Sequence, residues 1–144
     1  NKDTSIVGLP KVPDDWSKEL SAIDIELNRI GWDKQKENIY INLLLGYSNR
    51  NRITRYNELK VLLNNLKLLN SGEDPSIDIY KEEDLIIKSS MLLEKLNWDL
   101  NKGRQFLSRN FNSPSRHDLT RNQLLEFNML LTEELTLKNK SNTI

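Results

Sequence analysis

Ile30-Gly31-Trp32-Asp33 and Leu96-Asn97-Trp98-Asp99 stand 66 residues apart, and the likeness between their surroundings decides the fold. Outward from these two stretches the match runs without a gap from Leu27 to Leu59 and from Leu93 to Leu125. Lys36/Lys102, Arg50/Arg116, Thr54/Thr120 and Arg55/Arg121 are identical, like the Trp-Asp pairs. Leu27/Leu93, Ile30/Leu96, Tyr40/Phe106, Ile41/Leu107, Ile53/Leu119 and Leu59/Leu125 are identical or similar. Self-similarity at a fixed offset reads as a duplicated unit.

Each unit reads as three helices. Trp16, Leu20, Ile23, Leu27 and Ile30 recur at spacings of 4, 3, 4 and 3, a helical apolar stripe with Asp14 and Asp15 at its start. Gly31 is placed to end it in the left-handed conformation. Asp33 then caps a second helix with Ile39, Tyr40, Leu43 and Leu44 as its buried face, which Gly46 stops. After a polar loop, Thr54 caps a third helix carrying Leu59, Leu62, Leu63, Leu66 and Leu69. In the second half, Ile86, Leu93 and Leu96 mark the first helix and Trp98-Asp99 opens the next. Thr120 and Gln123 form a capping box before Leu124, Phe127, Leu131 and Leu135. The expected architecture is all-α: two tandem three-helix repeats, six helices, with Trp-Asp opening the second helix of each. An extended arm spans 1–13, repeat one 14–70, a linker 71–80, repeat two 81–137 and a disordered tail 138–144. The sequence begins at Asn1 and not Met, as expected of a processed chain or a piece of a longer one.

Ile23-Asp24-Ile25-Glu26-Leu27-Asn28-Arg29-Ile30-Gly31-Trp32, Gly103-Arg104-Gln105-Phe106-Leu107, Ser115-Arg116-His117-Asp118-Leu119-Thr120 and Leu124-Leu125-Glu126-Phe127 carry a further likeness. They resemble a small three-helix domain common in uncharacterised cyanobacterial proteins, here in two tandem copies covering 16–70 and 82–135. That pattern reads roughly Leu-Gly-Trp, Gly-Arg-x-Tyr-Leu, Gly-Lys-x-Ser-Arg and Leu-Thr-x-x-x-Leu-Leu. Repeat one departs from it at Glu37-Asn38, where Gly-Arg is expected, and at Ser48-Asn49. Repeat two has Asn97 and Asn112 in place of its glycines. One repeat's length is also similar to the C-terminal helical modules of phage single-strand annealing proteins, which implies a role beside nucleic acid in recombination or repair.

Composition narrows the chemistry. The 144 residues contain no cysteine, which excludes disulfides, thiolate metal sites and cysteine nucleophiles. His117 is the single histidine and lies in a loop, without a Glu three residues before it. The five glycines form neither a dinucleotide fingerprint nor a phosphate loop. The paired acids at Glu82-Glu83-Asp84 suit a helix start. No enzyme activity, catalytic residue, metal ligand, cofactor or small-molecule substrate is therefore expected. No apolar run approaches the roughly 20 residues of a membrane span, so a cytoplasmic protein without membrane contact is expected.

Twenty-one basic side chains balance 21 acidic ones, yet the charge is locally polarised. Residues 47–67 carry five basic groups against one acid, and 99–121 carry five against two. Arg50, Arg52, Arg55, Arg104, Arg116 and Arg121 are the candidate anion- or nucleic-acid-binding residues, clustered around the third-helix starts. Two readings follow. The arginines serve an external partner, nucleic acid or an acidic protein, or they pair with acids of helix one and pin the loop. A protein–protein adaptor using grooves between helices is the alternative function. Trp32 and Trp98 are expected as buried wedges at equivalent corners, with base stacking as their alternative role. Gly103, costly inside a helix, is expected to mark the close approach of another helix.

Overall fold

The computed structural model describes residues 12–75 and 81–141. Residues 1–11 of the expected arm and 76–80 of the expected linker thus lie outside the described residues. Among the described residues six α-helices form: α1 (Ser17–Ile30), α2 (Lys34–Leu45), α3 (Tyr56–Lys67), α4 (Glu82–Leu96), α5 (Leu100–Phe111) and α6 (Arg121–Ser141). No strand occurs among the described residues. The chain divides into one compact unit over Pro13–Lys81 and a second that takes in the chain from Glu82 onward. None of the described helices is long and apolar enough to cross a membrane.

Local chemistry sets most helix ends. The Asp33 carboxylate accepts from the Lys36 amide at 2.9 Å, and Asp99 accepts from Lys102 at 2.8 Å. Gly31 and Gly46 end α1 and α2 at φ of 80° and 85°. Asn97 and Asn112 take the same left-handed conformation at 58° and 52°, and asparagine is one of the few residues besides glycine that tolerates it. Thr120 and Gln123 exchange both bonds of the capping box, at 3.2 and 2.9 Å. The start of α3 differs, since its cap position is Arg55, one residue beyond Thr54. Asp33→Ala and Asp99→Ala are each expected to cost about 1 kcal/mol in chemical denaturation.

The two units share a local plan. α2 and α5 are both 12 residues long and start 66 positions apart, and the 3-10 turns Arg50–Arg52 and Arg116–Asp118 keep that offset. In the first unit α1 and α2 pack on α3, and Ile23, Ile30, Leu44, Leu59, Leu62 and Leu66 are almost wholly buried. In the second unit α4 packs on α6. The buried side of α4 is Leu85, Ser89, Leu92 and Leu96, with Ile86 and Leu93 at its edge, a rotation from the expected stripe.

Helix ends are also tied across each unit. Arg29 donates to the Leu66 carbonyl at the end of α3, at 3.0 Å. Lys138 donates to the Leu96 carbonyl at the end of α4, also at 3.0 Å. That bond helps explain why α6 continues to Ser141, past the expected end at 137. After α3 the chain folds back: Gly72 donates to Ile30, and the Trp32 indole donates to the Glu73 carbonyl at 2.6 Å. The beginning of the expected linker is therefore part of the first unit.

Candidate anion-binding site

The six arginines divide by surroundings. Arg50 opens the 3-10 turn of the first unit, which the Asn49 side chain initiates by accepting from the Asn51 amide. Its Nε donates to Glu37 Oε2 at 2.7 Å and its Nη2 to Asp24 Oδ1 at 2.8 Å. The Arg50 and Glu37 side chains are only 12% and 2% exposed, so this is an interior ion pair. Burial works against the guanidinium charge, but the bonds to Glu37 and Asp24 outweigh it and hold the Arg50 pKa above the ordinary arginine value. Arg50 thus pins the loop to α1 and α2. Arg52 and Arg55 are exposed nearby.

Arg116 opens the corresponding turn of the second unit, where Ser115 accepts from the His117 amide. Leu119 then anchors the turn at 5% exposure, as Ile53 does in the first unit. Arg116 is half-buried, but the acids are gone: residue 103 is Gly where 37 is Glu, and residue 90 is Ser where 24 is Asp. Its one side-chain bond among the described residues runs from Nη1 to Ser89 Oγ at 3.1 Å. Ser89 is fully buried and donates in turn to the Ile86 carbonyl at 2.6 Å. Arg116 has no carboxylate within ion-pair distance among the described residues.

Beside Arg116 lies a cavity of about 430 Å³. Leu93, Leu107 and Phe127 give it apolar wall, Gly103 gives it open space, and Arg104 and Arg116 give it positive charge against the single carboxylate of Asp99, which is engaged in capping α5. Gly103 does not mark a helix–helix approach as expected, because a Cβ built there would meet nothing within 4 Å. Arg104 is exposed at this cavity, while Arg121 begins α6. Trp98 and His117 also line it. Neither Glu37, the partner of Arg50, nor Gly103 stood out as a site residue in the sequence. The paired substitutions at 37/103 and 24/90 were the signal for both.

The tryptophans are less alike than expected. Trp32 is 7% exposed and meets Tyr40 at 5.1 Å between ring centres. Trp98 meets Phe106 at the same 5.1 Å but is half-buried, with the Lys102 ammonium 5.1 Å from its ring centre. Its indole borders two cavities, the one beside Arg116 and another lined by Lys102, Glu134 and Lys138. Iodide is expected to quench Trp98 more strongly than Trp32 in variants that each keep one of the two as the sole tryptophan, with Trp16 replaced in both. Equal quenching would contradict the different burial.

No group of three or more histidine, cysteine or acidic side chains that could hold a metal ion occurs among the described residues. No protein-family model, curated protein or solved structure matches the chain.

Proposed function

We propose that the chain is a non-enzymatic helical binding module whose second unit receives an anionic group of a partner. The observation that carries this reading is the contrast between Arg50, neutralised by Glu37 and Asp24, and Arg116, half-buried beside a cavity and with no carboxylate in ion-pair distance among the described residues. A guanidinium carries five N–H donors, and one serine oxygen satisfies a single one of them. An external anion would satisfy more.

Of the two partner chemistries, an acidic protein is favoured over nucleic acid. Non-specific nucleic-acid binding draws on a track of cations that neutralises several phosphates. Here Arg50 is committed internally, and the cavity offers two arginines against apolar walls of Leu93, Leu107 and Phe127. The test is binding at rising salt, with single- and double-stranded DNA and RNA compared with an acidic peptide. An acidic-partner module should bind the peptide with a shallow salt dependence. Tight binding to nucleic acid that falls by about 10³-fold or more between 50 and 200 mM salt would support the nucleic-acid reading instead.

A further inference from the structure

We infer that the cavity of the second unit is a receptor for a carboxylate side chain of an acidic protein segment, taken in the place that the chain's own Glu37 fills in the first unit; this rests on the anionic-partner reading above. Residues 37 and 103 are each the fourth residue of their helix, α2 and α5. Arg50 and Arg116 are each the first residue of the 3-10 turn that follows. In the first unit this placement brings the Arg50 Nε within 2.7 Å of Glu37 Oε2. In the second unit Gly103 and Arg116 line one cavity, and the Arg116 Nε has no partner among the described residues.

The site fits a carboxylate on a short apolar stem. Leu93 and Leu107 can take the methylenes of a glutamate, and the volume of about 430 Å³ exceeds what one such side chain needs. The planar guanidinium matches two carboxylate oxygens through parallel N–H bonds. Arg104, exposed at the same cavity, supplies a second positive charge for a neighbouring acid of the segment. A phosphate, with more charge to desolvate, would have only one half-buried cation, with apolar walls and the Asp99 carboxylate around it.

The experiment uses the full chain and a fluorescein-labelled peptide of ten glutamates at low salt, with ten-nucleotide oligo-dT as the second probe. Gly103→Glu supplies an internal carboxylate, Gly103→Gln supplies the same bulk without charge, and Arg116→Gln removes the cation. Circular dichroism checks that each variant is folded. The peptide should bind the unaltered chain, and Gly103→Glu and Arg116→Gln should each weaken it about tenfold or more. Gly103→Glu should also melt higher than Gly103→Gln, since only the carboxylate can pair with Arg116. The inference is overturned if Gly103→Glu melts no higher than Gly103→Gln, or if the two charge-changing variants bind the peptide as the unaltered chain does. Binding of oligo-dT without the peptide overturns the carboxylate receptor and leaves an anionic partner standing. Binding of neither probe overturns both.

Discussion

Replacing Arg50 with Ala is expected to destabilise the first unit by about 3–5 kcal/mol, whereas Arg116→Ala should cost the second unit about 1 kcal/mol. The arginines are sequence-equivalent, so the difference lies in what each leaves behind. Without Arg50, the Glu37 carboxylate, 2% exposed while the pair is intact, has among the described residues only the Lys34 ammonium, 3.7 Å away and itself 66% exposed. An ionised group left in that position must be protonated or drag water inward, and either costs more than the lost pair gained. Without Arg116, the buried Ser89 hydroxyl still donates to Ile86. For units of this size about 1 kcal/mol moves a melting midpoint by roughly 4–8 °C, so a thermal melt separates the variants clearly. Small and equal shifts would mean that the Arg50–Glu37 pair adds nothing to the stability of the unit.

The second large effect concerns the wall of the cavity. Phe127 is wholly buried and meets Phe106 at 6.1 Å and Phe111 at 6.0 Å, the latter nearly edge-on at 82°. Phe127→Ala should remove about 3–5 kcal/mol through lost burial and the hole left behind. Loss of two ring–ring contacts adds to this. Because Phe127 also lines the cavity beside Arg116, the variant should loosen α5 against α6. Hydrogen exchange of α5 amides should therefore accelerate along with the fall in the denaturation midpoint. A midpoint shifted by under about 1 kcal/mol would mean that the three phenylalanines do not form a packed cluster.

Much of this molecule is legible residue by residue because its helix ends are local events. Asp33 and Asp99 need only an amide three positions on, and Thr120 and Gln123 complete their exchange within a single turn. Gly31, Gly46 and Asn112 need only a backbone conformation open to them. The all-α class and the six helices follow from such signals together with apolar spacing, and the offset of 66 identifies the corresponding elements of the two halves. The tertiary structure decided everything that depends on distant partners. The Arg50 bonds span 13 and 26 residues, and the Trp32 bond to Glu73 spans 41. Whether such groups meet depends on how helices rotate against one another, as the turned face of α4 shows. The same arginine in the same turn is thus an internal clasp in one unit and a cavity-lining cation in the other. The reason is physical and small: at one position on the neighbouring helix, Glu37 supplies a carboxylate and Gly103 supplies only space.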